Sequence, residues 1–146
     1  MANIVFQGPA ALTLDTKGRL AMPARHRVLL EAMRVTQLTV TKHPDGCLMI
    51  FPRPIWETFR DHVASLPMDA VRWKRVFLGS AMDVDLDNSG RLLIAPELRT
   101  ATGLDREVML LGMGNHLELW DLQKHAAHEA EVMTSEMPES LKGFSF

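Results

Sequence analysis

Apolar and polar positions alternate in two places along the chain, and the two places resemble each other. Leu12 and Leu14 alternate with Thr13 and Asp15, as Met82, Val84 and Leu86 alternate with Asp83, Asp85 and Asp87. A period of two is that of a half-buried strand. Each strand runs into a turn, Asp15-Thr16-Lys17-Gly18 in one case and Asp87-Asn88-Ser89-Gly90 in the other. An Asp side chain there bonds to the backbone ahead of it, and Gly accepts positive φ. A second short strand follows at 19–22 and 91–94. Pro23 or Pro96 then opens a short helix, over 23–33 and 96–102, at the first-turn position proline tolerates. Two apolar runs about a turn close each stretch, the turns being Pro44-Asp45-Gly46 and Gly112-Met113-Gly114-Asn115. The predicted order is strand, turn, strand, helix, strand, turn, strand, twice over.

The two stretches are copies. At an offset of 72, Leu14, Asp15, Gly18, Arg19, Leu20 and Arg27 match Leu86, Asp87, Gly90, Arg91, Leu92 and Arg99. Downstream, 39–52 resembles 108–121 at an offset of 69. A unit of about 45 residues encloses too little volume to bury a core alone. Two units in one chain solve this if each covers the other's apolar faces, by interlocking hairpins. Between them, 53–79 reads as mostly helical, with Val63, Leu66, Val71, Val76, Phe77 and Leu78 as its apolar positions and Pro67 breaking it in two. A helix is expected over 121–133, with a patternless tail from Pro138. The expected division is a first module at 9–55, a helical linker at 56–79, a second module at 80–123, and a C-terminal helix and tail at 124–146.

Composition narrows the class. The 146 residues are 47% hydrophobic and 23% charged, as in an ordinary globular protein. The single cysteine, Cys47, has no partner for an intramolecular disulfide and reads as a small buried apolar residue. The N-terminus lacks a signal-peptide pattern, and no apolar run approaches the ~18–20 residues that span a bilayer. These features point to a cytoplasmic protein. The net charge of −2 argues against a nucleic-acid partner when taken whole. It is unevenly spread, however: 1–75 holds 11 Lys and Arg against 6 Asp and Glu, or +5, and 76–146 holds 5 against 12, or −7. A polyanion-binding front and an acidic back fit that split.

Enzyme and metal constellations were sought in turn. Asp83, Asp85 and Asp87 fit an exposed strand face better than an EF-hand, which needs Gly where Asn88 stands. His125 and His128 lie three apart on a helix with no matching second pair, and read as a solvated face. Gly112-Met113-Gly114 lacks the rest of a dinucleotide fingerprint, and Ser80 is not in a nucleophile elbow. No catalytic residue, no metal site and no cofactor is expected.

Arginine placement carries the binding chemistry. The stretch 17–27 holds Lys17, Arg19, Arg25 and Arg27, with His26 among them and Asp15 as the acid nearby. Arginine's planar fork suits both phosphate oxygens and the guanine edge. The alternative is that Asp15–Arg19 and Asp87–Arg91 only stabilise their turns, as exposed pairs contributing ~0–1 kcal/mol. The two roles are compatible. The linker aromatics Trp56, Phe59, Trp73 and Phe77 are available for subunit contacts or for an intramolecular core, the core being favoured for Phe77. The run Arg72-Trp73-Lys74-Arg75 reads as a solvated helix face rather than an extra phosphate patch.

The repeated LDxxGRL…P…R motif does not stand alone. It comes with HPDGCLMIFPRPIWE after the first copy, WKRVFLGSAMDVDLD before the second and EVMLLGMGNHLELWD at its end. Together these closely resemble the MraZ family of bacterial transcriptional regulators, which are built from two AbrB-like modules. The resemblance covers 6–121. It implies an α+β fold of tandem AbrB-like swapped-hairpin β-barrel modules with linker and C-terminal helices. It also implies ring-like homo-oligomers, nucleoid association, and binding of double-stranded DNA at promoter-proximal direct repeats ahead of cell-division and cell-wall genes. No membrane and no small-molecule substrate is implied. Arg19 and Arg27 carry over as DNA-contacting positions, and equally Arg91 and Arg99. Lys17 joins them by its place in the same turn, and Arg25 by its place beside it, with Asp15, Gly18, Asp87 and Gly90 orienting the turns. The second copy has Ser89 for Lys17 and Glu97 for Arg25, so the first module is expected to dominate. The rival readings are an antitoxin using the same module, and a protein-interaction ring whose acidic C-terminal helix docks a basic partner.

Overall fold

The computed structural model describes residues 5–145, so the last residue of the expected tail lies outside it. The first repeat contributes β1 (Phe6–Thr13), β2 (Arg19–Ala21), α1 (Ala24–Ala32), β3 (Gln37–Lys42) and β4 (Leu48–Pro52). The linker forms α2 (Arg53–Ala64), a 3-10 turn at Met68–Ala70, and α3 (Val71–Phe77). The second repeat contributes β5 (Met82–Asp85), β6 (Arg91–Leu93), α4 (Pro96–Thr102), β7 (Glu107–Gly114) and β8 (Leu117–Asp121), and α5 (Leu122–Thr134) follows directly. The architecture is mixed α+β.

The strands form one six-stranded antiparallel sheet, ordered β1-β7-β8-β4-β3-β5, and a separate two-stranded ribbon of β2 with β6. Matching the repeats (β1 with β5, β3 with β7, β4 with β8) makes the sheet order read the same from either end. The first strand of each repeat therefore pairs with a strand of the other. β1 runs along β7 from Phe6↔Gly114 to Thr13↔Glu107, and β5 runs along β3 from Gln37↔Asp85 to Val40↔Met82. Their approach is close at one point, where a Cβ on Gly112 would collide with the Gln7 backbone.

One core lies between the repeats. Leu14, Leu20, Leu38 and Ile50 from the first and Leu92, Ile94, Leu110 and Leu119 from the second are at most 1% exposed and belong to a single cluster. Each such side chain stabilises the fold by about 1.5–3 kcal/mol through burial, and each repeat supplies part of the other's covering.

All five residues of β4 are buried because the strand has a core on both faces. Leu48 and Ile50 face the shared core, while Met49 and Phe51 join Trp56 in a second cluster with Ile55, Phe59, Phe77 and Leu78 packed against it. Phe51 stacks on Phe59 at 4.9 Å, and Phe59 meets Phe77 edge-on at 5.7 Å. Of the two readings of the linker aromatics, the intramolecular one holds for Trp56, Phe59 and Phe77, whereas Trp73 is half exposed. Cys47 is fully buried, as its neighbours suggest.

The two repeat helices start at equivalent positions although their prolines do not align. Pro23 and Ala95, 72 apart, are both N-caps with nearly the same extended backbone, φ −56° and ψ 146° against φ −55° and ψ 141°. Proline's fixed φ fits the extended cap in one helix and the first turn in the other.

Three details differ from expectation. Gly112, Met113 and Gly114, read as part of a turn, lie within β7 and pair with β1, so the turn is displaced to Asn115 and His116. The three aspartates are all exposed, but only two lie on the strand: β5 ends at Asp85, and Asp87 belongs to the turn. Asp83 takes a 2.6 Å ion pair from Arg53 and a 2.8 Å hydrogen bond from Thr39, tying β5 to β3 and the start of α2. His26 points inward rather than joining the arginines; it is 1% exposed, with its ring 5.7 Å from that of Phe6.

Candidate nucleic-acid interface

Both turns are built by one carboxylate acting three times. Asp15 Oδ1 accepts from the backbone N–H of Lys17 at 2.9 Å and of Arg19 at 2.8 Å, and Oδ2 accepts from Arg19 Nε at 2.6 Å. Asp87 repeats this with Ser89 N–H at 2.9 Å, Arg91 N–H at 2.9 Å and Arg91 Nε at 3.1 Å. The loops close through Gly18 N–H to the Asp15 carbonyl at 2.9 Å and Gly90 N–H to the Asp87 carbonyl at 3.0 Å. Gly18 and Gly90 take φ of +81° and +76°, which L side chains rarely adopt. The backbone N–H of Arg19 holds the Asp15 carboxyl below the usual carboxylate range; the Arg19 side chain and the Lys17 N–H add to this, and partial burial opposes it. Asp87 is held low in the same way, first by the Arg91 backbone N–H. Both carboxylates are thus ionised at neutral pH and grip the Nε edge of their arginine. Among the described residues, the Nη groups of Arg19 and Arg91 have no hydrogen-bond partner.

The ribbon then sets these arginines diagonally across one face. Ala21 pairs with Arg91, Leu20 with Leu92, and Arg19 with Leu93. Alternation sends Leu20 and Leu92 into the core, both at 0% exposure. Arg19, Ala21, Arg91 and Leu93 therefore share the opposite face of the ribbon, with Ala21 and Leu93 exposed.

The repeats also cross at this site. Met22 N–H donates to the Gly90 carbonyl and Ile94 N–H to the Gly18 carbonyl, each at 3.0 Å, so each strand end is fastened to the other repeat's turn. The helix arginines follow the same exchange. A Cβ on Gly18 would lie 2.6 Å from the guanidinium carbon of Arg99, and one on Gly90 would lie 2.6 Å from Arg27 Cδ. Arg99 Nε also donates to the Ile94 carbonyl at 2.9 Å. Each turn is completed by an arginine from the other copy.

The candidate residues therefore separate. Arg19 and Arg91 share one face of the ribbon, Arg99 covers the first turn, and Arg27 covers the second; Lys17 stands exposed in the first turn. Arg25 is tied elsewhere: it lies over Gly8, and its Nη2 donates to the Pro9 carbonyl of β1 at 2.7 Å. Sequence reasoning missed the crossing, because no local signal says which copy's turn an arginine will reach. It also missed the exposed Ala21 and Leu93, whose position follows once the ribbon register is known.

Duplicated repeats sharing one core, with paired Asp-x-x-Gly-Arg turns set by cross-repeat contacts, define the class: an intertwined two-copy protein with a composite cationic surface. Comparison with protein families matches residues 5–75 and 77–142 to the family described as "MraZ protein, putative antitoxin-like". The chain belongs to the MraZ family. It is 64% identical to the transcriptional regulator MraZ of Methylibium petroleiphilum over 146 residues, all of both chains. It is 60% identical over 142 residues to the proteins of the same name from Burkholderia mallei and Burkholderia thailandensis, covering 97% of this chain and all of each relative. These relatives are named as regulators of transcription, which is not an enzyme class. Among the described residues no helix is long and apolar enough to cross a membrane.

Proposed function

We propose that the protein is a sequence-specific regulator that grips double-stranded DNA with the β2–β6 ribbon and its two flanking turns. One observation carries this reading: Arg19 and Arg91 lie on the same outer face of a two-stranded ribbon, each oriented by a carboxylate that leaves its Nη groups to an external acceptor. A two-stranded ribbon fits the major groove, where arginine reads the guanine edge. Lys17, Arg27 and Arg99 supply phosphate contacts around it, and Arg25 steadies the surface through β1.

In this reading the chain consists of tandem AbrB-like swapped-hairpin modules, the first at 9–55 and the second at 80–123, with a linker at 56–79 and a C-terminal helix and tail at 124–146. The family resemblance supports promoter-proximal direct repeats ahead of cell-division and cell-wall genes as the target, and a nucleoid-associated protein. It also supports a ring-like homo-oligomer. Several copies of a weak module gain avidity when linked, and a head-to-tail ring suits DNA sites that repeat in one direction.

The module with Lys17 is expected to contribute more than the one with Ser89. Footprinting on the DNA upstream of the protein's own gene tests the reading. Wild type should protect directly repeated sites and Arg19→Ala should protect none, at the same oligomer mass; equal protection by both would refute it.

A further inference from the structure

Three side chains with no part in the arginine turns meet where the β3–β4 turn crosses β8. One donor atom each from His43, Cys47 and Glu118 lies within 4.8 Å of the other two. Cys47 is fully buried, Glu118 is 7% exposed, and the His43 side chain is a quarter exposed, so the cluster lies inside the fold with His43 at its solvent edge. Pairing of Met49 with Glu118 across β4 and β8 sets the carboxylate beside the turn.

The two oxygens of Glu118 are engaged differently. Its Oε1 accepts from Trp120 Nε1 at 3.0 Å. Its Oε2 faces His43 Nε2 at 3.7 Å, too far for a hydrogen bond. A carboxylate this deeply buried calls for a cation close by. Lys124 supplies one nearby, its Nζ donating to the Gly46 carbonyl at 2.7 Å and to that of Thr102 at 3.4 Å, and a metal ion would sit on the His43 side.

We propose that His43, Cys47 and Glu118 form a zinc-type metal site, with a fourth position open to solvent on the His43 side. A sulfur, a nitrogen and an oxygen suit Zn(II), whereas magnesium or calcium gain little from a thiolate. Two ligands on a tetrahedral zinc lie about 3.3 Å apart, given metal–ligand distances of roughly 2.0–2.1 Å. The His43–Glu118 separation of 3.7 Å is a few tenths of an ångström longer, and with all three donor atoms within 4.8 Å of one another, binding draws the side chains together by up to about an ångström.

The protons balance. On coordination the Cys47 thiol loses its proton to solvent, and sulfur binds as thiolate. His43 Nδ1 accepts from the Asp45 N–H at 3.0 Å, so Nε2 carries the ring proton. Metal at Nε2 moves that proton to Nδ1, so the Asp45 N–H gives up its hydrogen bond there and the Asp45 carboxylate, now 3.9 Å away, closes in to accept instead. A carboxylate behind a metal-bound histidine is a common supporting arrangement.

The test uses the full chain, stripped with a chelator, dialysed, and titrated with Co(II) and then Zn(II). One Co(II) per chain should bind with a near-ultraviolet sulfur-to-metal band and visible bands of tetrahedral cobalt, and one Zn(II) should erase both. Cys47→Ser should remove the sulfur band and weaken Zn(II) binding at least about 100-fold. His43→Asn, at a partly exposed position, should weaken it as much with an unchanged far-ultraviolet circular dichroism spectrum, so that misfolding of the buried Cys47 variant hides nothing. Absence of the sulfur band, or unchanged Zn(II) affinity in His43→Asn, overturns the site. So does loss of binding only in a His125→Asn/His128→Asn variant, which would put the ion on α5.

Discussion

Gly18 and Asp15 are where single atoms matter most. Gly18→Ala forces a side chain into left-handed backbone, costing about 1–2 kcal/mol, and drives its new methyl into the Arg99 guanidinium. That guanidinium end can swing away, so the fold should survive with its melting temperature a few degrees lower, while DNA binding weakens because Arg99 is displaced; a thermal melt beside a gel shift separates the two effects. The pH response follows from named groups. Asp15 and Asp87 sit below their unfolded value of about 3.9, so their contribution is complete above that pH and is lost as pH falls through the lower folded value. His26 is held low by burial first and by Arg25 second. Its folded state prefers the neutral ring, so its contribution is complete above about 6.5 and declines as pH drops below that. His116, half-buried and stacked on Phe51 at 4.9 Å, is lowered by burial against the opposing charge of Glu118 and acts in the same direction. Melting temperature should therefore fall between pH 8 and pH 5.5, and His26→Leu should flatten that slope; an equal slope in the variant would remove His26 from the explanation. The turns were legible in the sequence because Asp-to-backbone bonding and glycine's positive φ are local chemistry. His26 was not, because α1 is short, places basic residues on both sides of it and leaves the apolar Val28 61% exposed.

Among the elements, the β2–β6 ribbon is short, at three residues per strand, and stands apart from the main sheet. Its place depends on Leu20 and Leu92 plugging into the shared core. Leu92→Ala should cost about 2–5 kcal/mol by urea unfolding, whereas Val28→Ala on the exposed side of α1 should stay within about 0.5 kcal/mol. A small loss at Leu92 would mean the ribbon is not held by that plug. Element types were legible from period and punctuation: strand alternation, the Asp-x-x-Gly turns, and Pro67 breaking the linker. β4 was less so, since a strand buried on both faces shows no alternation. The eight-residue β1 was read only from Leu12 onward, because Gly8 and Pro9 interrupt its pattern.

For the whole molecule, the repeat was visible and interlocking of its two copies was expected, but which strands pair across the copies was not legible. Either its own hairpin or the other copy's would satisfy the alternation of β1 and of β5, and only three-dimensional packing decides between them. That exchange gives the net charge its meaning. A chain of −2 overall sets Arg19 and Arg27 of its basic half beside Arg91 and Arg99 of its acidic half. Replacing Arg91 by Ala should weaken DNA binding less than replacing Arg19, because Lys17 remains in the first turn whereas Ser89 occupies its place in the second; equal losses in a gel shift would remove this asymmetry. The most direct measurement is equilibrium binding to duplex DNA from upstream of the protein's own gene, against a scrambled duplex, across a series of salt concentrations. Wild type should prefer the native duplex by about 10³-fold or more, with affinity falling steeply as salt rises, and Arg19→Ala/Arg91→Ala should lose that preference and flatten the salt slope by roughly one unit per arginine that contacts phosphate. Equal affinity for both duplexes, or an unchanged preference and slope in the double variant, would contradict DNA recognition by the ribbon.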